Sequence, residues 1–69
     1  MNPEELHRYL DRDVVVAVPH FFIPDKLFFY HGRVLNVDDD SITIKTKKGG
    51  LSTIKISQIQ QIVEEGGML

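Results

Sequence analysis

The sequence predicts a mainly β fold, in which a short N-terminal α-helix precedes five antiparallel strands that bend strongly into a small barrel. Three observations predict it: a helix-start signal at the N-terminus, β-branched and alternating apolar segments from residue 14 onward, and a glycine inside the longest of these segments. Short antiparallel strands tend to close into a barrel because closure removes their unpaired edges. With 69 residues the chain is predicted to be one domain, divided into a helix 1–12, a barrel 13–63 and a tail 64–69.

The helix is predicted from its first residues. Asn2 is a favourable N-cap, and Pro3 suits the first helical position. Glu5 lies three residues after Asn2 and can close a capping box with it. We expect the helix to end near Arg12 and to pack its apolar stripe on the sheet, because so short a helix is not stable alone.

The strands are predicted from β-branched content and from the alternation of apolar and polar residues. They cover residues 14–18, 27–37, 41–47, 51–56 and 59–63, with a hairpin turn at 48–50 and a break at 57–58 that suits one helical turn. On the second strand, Phe28, Tyr30 and Val34 share one face, which we assign to the core. Gly32 interrupts this strand and predicts a sharp bend.

Composition restricts the class of protein. The chain has no cysteine, which excludes disulfides and thiolate metal sites. It has no apolar run long enough to span a membrane, and its acidic start does not resemble a signal peptide. We therefore expect a soluble cytoplasmic protein without a cofactor. The net charge of −2 means that any binding of nucleic acid has to come from a local basic patch.

Three consecutive aspartates, Asp38-Asp39-Asp40, lie between the second and third predicted strands. The simplest interpretation is a polar turn whose carboxylates cap backbone amides. Two alternatives remain: a site for a hard cation, or Asp38 or Asp40 holding an RNA base or a loop through hydrogen bonds. The spaced oxygen ligands and the glycine of a calcium loop are absent, so we predict no metal site.

Basic side chains are the best signal for nucleic acid. Alternation directs Lys45, Lys47 and Lys55 outward from adjacent strands, and Lys48 lies at the hairpin tip. Backbone phosphates are the expected ligands of such a patch, and two further candidates, His31 and Arg33, lie on the second strand. The alternative is a solvated face whose lysines protect the sheet edges from aggregation.

Four apolar residues are difficult to bury in so small a barrel: Phe21, Phe22, Ile23 and Phe29. The first three lie in a segment bracketed by two prolines. We interpret all four as an interface with another subunit or another protein. Packing in the core and stacking on RNA bases are the alternatives.

The chain carries no constellation typical of an enzyme. His7, His20 and His31 are scattered and lack metal-ligand spacing. The serines and histidines suggest no catalytic triad, and no glycine-rich loop matches a phosphate cradle. We therefore predict a protein that is not an enzyme.

The segment G-R-V-L-N-V-D-D-D-S-I-T-I, which begins at Gly32, resembles the Sm-like family and its bacterial Hfq branch. Shared features are the bend glycine, the apolar residues Val34 and Val37, the aspartate Asp38 and the alternating strand after it. The resemblance implies an Sm-like (SH3-like) barrel. It also implies a homo-oligomeric ring, usually of six or seven subunits, that binds uridine- or adenosine-rich single-stranded RNA. Neighbouring subunits would pair through their fourth and fifth strands.

The chain departs from the family pattern at its RNA-binding motifs. The base-binding asparagine after the aspartate has no counterpart, because its place falls among residues 40–42. The signature before the last strand is replaced by Ile54-Lys55-Ile56-Ser57, of which only Lys55 carries over.

Two functional hypotheses follow. The first is a non-catalytic RNA-binding ring, in which phosphates meet the lysines and bases lie near the strand and turn 32–40. The second is a protein-interaction or assembly module of the same fold with no role in nucleic-acid binding. Its working surface would be the Phe21-Phe22-Ile23 loop together with Phe29.

Overall fold

A short helix and five strands make up the protein, in a computed structural model that describes residues 2–65. The elements are α1 (Pro3–Leu6), a 3₁₀ turn (His7–Tyr9), β1 (Asp13–Pro19), β2 (Leu27–Val37), β3 (Ser41–Thr46), β4 (Leu51–Lys55), a second 3₁₀ turn (Ile56–Gln58) and β5 (Gln61–Glu64). The strands form one antiparallel sheet in the order β4-β3-β2-β1-β5. The predicted mainly β architecture, with one N-terminal helix and five antiparallel strands, is confirmed.

The predicted capping box is present at the start of α1. The backbone N–H of Glu5 donates to Oδ1 of Asn2 at 2.9 Å, and the N–H of Asn2 donates to Oε1 of Glu5 at 3.2 Å. These two bonds satisfy donors that have no partner within the helix. Leu6 is buried and anchors the helix in the core.

The α-helix is shorter than predicted and does not reach Arg12. After the 3₁₀ turn, Leu10 forms a parallel bridge with Val34 of β2. The N–H of Asp11 donates to the carbonyl of Val34 at 2.8 Å, and Asp11 has a positive φ of 62°. The chain therefore leaves the helix to pair with β2, and this tertiary contact overrides the local helical pattern.

One face of the sheet carries the hydrophobic core. Its members are aliphatic and buried, and α1 and the second 3₁₀ turn add to those of the strands: Leu6, Val14, Val16, Val18, Val34, Val37, Ile42, Ile44, Ile54, Ile56, Ile59 and Ile62. The inward isoleucines of β3 and β4 were predicted from alternation, and these positions are confirmed. On the opposite face of β1, Val15 is half-buried and Ala17 is buried.

A bend in β2 allows this strand to serve two neighbours. Residues 27–33 pair with β1, whereas residues 32–37 pair with β3. At Gly32 the backbones approach so closely that an added Cβ would lie 2.3 Å from the carbonyl oxygen of Lys45. A register shift between Val34 and Asn36 then lets Val34 and Val37 both face the core. The bend predicted from Gly32 therefore rests on a close backbone contact.

The sheet is open, although the sequence predicted a closed barrel. Within residues 2–65, β4 and β5 are the outer strands and do not pair with each other. The reason lies in the connection after Lys55, where the second 3₁₀ turn redirects the chain. The N–H of Gln60 then donates to the carbonyl of Ala17 at 2.8 Å, and β5 pairs with β1.

The boundaries of β5 and of the tail differ from the prediction. The strand begins at Gln61 rather than at residue 59, and Ile59 is buried before the strand starts. Glu64, predicted as part of the tail, is the last residue of β5. Of the rest of the predicted tail, Glu65 follows the strand as a bend, and residues 66–69 lie outside the described residues. No described helix is long and apolar enough to cross a membrane.

Phe28 is not a core residue, contrary to the prediction. Its side chain is 40% exposed, whereas Tyr30 is half-buried against the core. The Phe28 and Tyr30 rings are in edge-to-face contact, with centroids 4.9 Å apart. Phe28 remains exposed because this end of β2 extends beyond β3, which pairs with β2 only from Gly32 onward.

We expect Gly32→Ala to destabilise the protein by about 1–3 kcal/mol, because a methyl group has no space against the Lys45 carbonyl. Urea unfolding followed by circular dichroism measures the change. Gly50→Ala is the matched control, since its added Cβ would meet only the Thr46 hydroxyl oxygen at 3.8 Å. The control should stay within about 0.5 kcal/mol of the wild type. Equal stability of the two variants would show that the close approach does not constrain the fold.

Candidate functional site

The three aspartates form a turn between β2 and β3. The N–H of Asp38 donates to the Ser41 carbonyl at 2.8 Å, and the Asp38 carboxylate accepts from the Asn36 amide at 3.1 Å. The carbonyl of Asp40 accepts from the N–H of Ile56 at 2.8 Å, which ties the turn to the end of β4. The predicted polar turn is present, but among the described residues its carboxylates cap no backbone amide: Asp38 accepts from a side-chain amide, and the other bonds of the turn are between backbone groups.

No metal-ligating cluster is found in the part of the chain that the structure describes. Groups of three or more His, Cys, Asp or Glu side chains suitably placed for a cation do not occur among residues 2–65. The aspartates of the turn therefore have no further ligands beside them that would complete a coordination shell.

The predicted lysine patch is divided into two parts. Lys45 pairs with Leu51 in the β3–β4 ladder, whereas Lys55 pairs with Ser41 at the other end of the same ladder. The two lysines are therefore four residue steps apart along the ladder, which corresponds to about 13 Å. Lys55 instead borders a groove with Asn2, Asp39 and Asp40. The sequence correctly placed Lys45 and Lys55 on one face but did not predict their separation along it.

A basic strip crosses the outer face at the Lys45 end. Arg33 of β2 lies directly opposite Lys45 of β3, and Lys47 and Lys48 follow in the hairpin turn. Two like charges directly opposite one another on a sheet are unfavourable. Asp13 of β1 offsets part of this repulsion, because its Oδ1 lies 3.4 Å from Nε of Arg33.

Glu65 bridges two of the predicted RNA-binding residues. Its Oε2 lies 3.5 Å from Nδ1 of His31 and 3.4 Å from Nζ of Lys47. All three side chains are partly exposed, so each pair contributes little to stability. The carboxylate nevertheless lowers the positive potential beside β2. Within residues 2–65, Lys45 and Lys48 form no ion pair with a carboxylate.

Exposed apolar side chains form a second surface at the other end of β2. We call it the phenylalanine surface, and it comprises Phe21, Phe22, Ile23, Leu27, Phe28 and Phe29. Phe21 is 75% exposed and Phe22 is 87% exposed. The four apolar residues that the sequence singled out therefore lie outside the core. Leu27 and Phe28 extend the surface onto the start of β2.

His20 holds the loop of the phenylalanine surface in shape. Its Nδ1 accepts hydrogen bonds from the N–H of Phe22 at 3.1 Å and from the N–H of Ile23 at 3.2 Å. The N–H of His20 donates to the carbonyl of Lys26 at 3.0 Å and closes the base of the loop. Asp25 adopts a positive φ of 65°, which aspartate tolerates better than most residues. The exposed rings thus project from an ordered loop.

A cleft of about 300 Å³ lies beside the exposed start of β2. We call it the β2 cleft; its lining residues come from β2 and from the end of β3 with its turn: Phe28, Phe29, Tyr30, His31, Thr46, Lys47 and Lys48. One side of the cleft is aromatic and the other is basic. The cleft joins the phenylalanine surface to the basic strip.

Sequence reasoning missed several residues of this region. It did not identify Asp13 and Glu65 as partners of the basic groups, because their contacts depend on sheet pairing. It assigned His20 no role beyond noting that it lacks metal-ligand spacing, although its short spacing to Phe22 and Ile23 is compatible with a side-chain-capped turn. The predicted second strand is longer than the third. The start of β2 therefore has no partner in β3, and this difference in length could have indicated the cleft.

Comparison with protein-family models, with curated proteins and with solved structures finds no match for this chain.

We expect His20→Ala to loosen the loop of the phenylalanine surface while the sheet stays folded. Loss of the two bonds to Nδ1 removes about 1 kcal/mol of local stability. The amides of Phe22 and Ile23 should then exchange with solvent about fivefold faster. Amide hydrogen exchange followed by NMR measures this. His20→Asn is the matched control, because its side-chain oxygen can accept from the same amides. Unchanged exchange in His20→Ala would contradict the assigned role.

Proposed function

We propose that this protein is a non-catalytic assembly module, which associates with copies of itself through the outer strands of its sheet. One observation carries the proposal: β4 and β5 are both edge strands, and no residue from 2 to 65 pairs with their outer sides. Such an edge presents unpaired N–H and C=O groups that another strand can satisfy.

The free groups of β4 are identified by its pairing with β3. The N–H of Thr46 donates to the carbonyl of Gly50 at 2.8 Å, which directs this residue of β3 toward β4. Because hydrogen-bonding direction alternates along a strand, Ser52 and Ile54 bond to β3. Leu51, Thr53 and Lys55 therefore direct their N–H and C=O groups outward.

The side chains at the two edges also favour association. Leu51 on β4 is 66% exposed and Val63 on β5 is 44% exposed. Residues that are directly paired across two strands share a face of the sheet. Leu51 is paired with Lys45 and Val63 with Val15, so both lie on the face opposite the core. Pairing of β4 with β5 of another copy would extend the sheet and cover both side chains. This is the contact that the resemblance to the Sm-like family implies, and the bend at Gly32 supports that resemblance.

We expect Thr53→Pro to prevent assembly through β4. Proline removes an N–H that faces outward and so leaves the β3–β4 ladder intact. Thr53→Val is the matched control, because it keeps the N–H and a β-branched side chain. Light scattering should give a multimer for the wild type and for Thr53→Val, and a smaller species for Thr53→Pro. A monomeric wild type at about 100 µM would contradict the proposal, because an interface that weak lies outside the class of stable assemblies.

RNA binding is a second candidate function, favoured by the basic strip. Arg33 and Lys45 lie opposite one another, and a phosphate between them would relieve their repulsion. Lys48 adds a further cation with no carboxylate ion pair among the described residues. Repetition of this strip around a ring would increase the field that attracts single-stranded RNA. The aspartate turn lies at the far end of β2 and contributes no positive charge to the strip.

We expect Lys45→Glu to weaken binding of a uridine-rich oligonucleotide at least about tenfold at low salt, because it places a carboxylate opposite Arg33. Lys55→Glu makes the same charge change at the other end of the ladder and should have a much smaller effect. Fluorescence anisotropy across a salt series measures both. Equal losses in the two variants would mean that the net charge of the protein, and not the basic strip, controls binding. Absence of wild-type binding at low salt would exclude the RNA function.

A further inference from the structure

His20 accepts two backbone hydrogen bonds through one ring nitrogen, and this nitrogen can accept only while it carries no proton. Its Nδ1 receives the N–H of Phe22 at 3.1 Å and the N–H of Ile23 at 3.2 Å. A neutral imidazole has one accepting nitrogen and carries its proton on the other, whereas a protonated imidazole donates from both. The two bonds therefore require a neutral His20 ring whose proton is on Nε2.

The described surroundings of His20 contain no carboxylate placed to stabilise a protonated ring. Within residues 2–65 the ring forms no ion pair with an acidic side chain. It lines a cavity of about 220 Å³ together with residues of β1, β2, β4 and the second 3₁₀ turn, and the titratable side chain that these elements contribute is Tyr30. The charged residues of its own loop, Asp25 and Lys26, are both exposed. A proton would therefore place an unpaired charge on a half-buried ring.

The same ring connects the loop of the phenylalanine surface to β2. The His20 ring is in edge contact with Phe22 of the loop and with Phe28 of β2, and its centroid lies 6.3 Å from each of theirs. The ring of Phe21 lies next to that of Phe22, with centroids 6.4 Å apart. Because both edge contacts use His20, release of the loop would separate its aromatic rings from those of β2.

We propose that His20 is a pH switch that controls the order of the phenylalanine surface. Protonation converts Nδ1 from an acceptor to a donor, breaks its bonds to Phe22 and Ile23, and releases the loop. The released loop binds the proton more readily than the ordered loop does, so a fall in pH favours release. Histidine side chains ordinarily change charge between about pH 5 and pH 8. The loop is therefore ordered in neutral and alkaline solution and loosens in mildly acidic solution.

The switch is distinct from the other titratable groups of the protein. Aspartate, tyrosine and lysine side chains, the kinds that lie near His20, ordinarily titrate outside this pH range. Two other histidines lie on other elements: His7 in the first 3₁₀ turn, and His31 on β2 with its Nδ1 3.5 Å from Oε2 of Glu65. The switch uses neither the outer strands nor the basic strip, so it goes beyond the proposed assembly.

NMR of the unmodified protein tests the switch directly. At about pH 7.5, long-range ¹H–¹⁵N spectra of the imidazole should show the His20 proton on Nε2 and none on Nδ1. Between about pH 7.5 and pH 5, the protection factors of the Phe22 and Ile23 amides should fall about fivefold, in step with protonation of the His20 ring. Protection factors are the suitable measure because they remove the intrinsic pH dependence of amide exchange. The amide of Val16 should keep its protection, since β1 is paired on both sides.

Two variants make the result specific to His20. His20→Asn cannot titrate in this range and should show no fall between the two pH values. His31→Asn removes the histidine beside Glu65 and should leave the fall unchanged. A proton on Nδ1 at neutral pH would overturn the inference, as would a His20 ring that stays neutral at about pH 5. Unchanged protection while the ring gains its proton, an equal fall in His20→Asn, or loss of the fall in His31→Asn would each do the same.

Discussion

The close approach of β2 to β3 at Gly32 is the contact on which the rest of the structure depends. No side chain fits between Gly32 and the Lys45 carbonyl, so the two backbones can meet only at a glycine. From Gly32 to its end, β2 pairs with β3. From its start to Arg33, β2 pairs with β1 along its other edge. The bend wraps the sheet around twelve buried aliphatic residues. It also leaves the start of β2 projecting past β3, beside the β2 cleft.

Hydrophobic exposure is a stronger feature of the outer surface than positive charge. Three of the predicted RNA-binding residues, His31, Arg33 and Lys47, lie within 4 Å of a carboxylate, and Lys55 lies apart from the others. By contrast, the His20 ring lies in edge contact with both Phe22 of the loop and Phe28 of β2, and the loop is ordered by the hydrogen bonds to His20. Large exposed apolar patches on small proteins mark interaction surfaces. We therefore place assembly before RNA binding, because only Lys45 and Lys48 of the basic strip form no ion pair with a carboxylate among the described residues.

Local signals predicted most of the fold, whereas contacts distant in sequence decided the rest. The Asn2–Glu5 capping box and the alternating isoleucines were correctly predicted because neighbouring residues determine them. The early end of the helix was missed, because it depends on the bridge between Leu10 and Val34. Exposure of Phe28 was missed for a related reason: alternation gives the face of a strand but not whether a neighbouring strand covers it. At the candidate site, the sequence was enough to predict which basic residues and, apart from Phe28, which aromatic residues are exposed. Their ion pairs, and the separation of Lys55 from the other lysines, depend on which residues are paired across the strands, and the sequence alone does not specify that pairing.

The most direct test of the central claim, association through unpaired edges, is amide hydrogen exchange of the unmodified protein at high and low concentration. On β4, Ser52 and Ile54 bond to β3 and should be protected at every concentration. Leu51, Thr53 and Lys55 face outward and should be protected only where copies associate. The account predicts that these three amides exchange slowly in concentrated protein and rapidly after dilution. Rapid exchange of all three at every concentration, with Ser52 and Ile54 still protected, would contradict it.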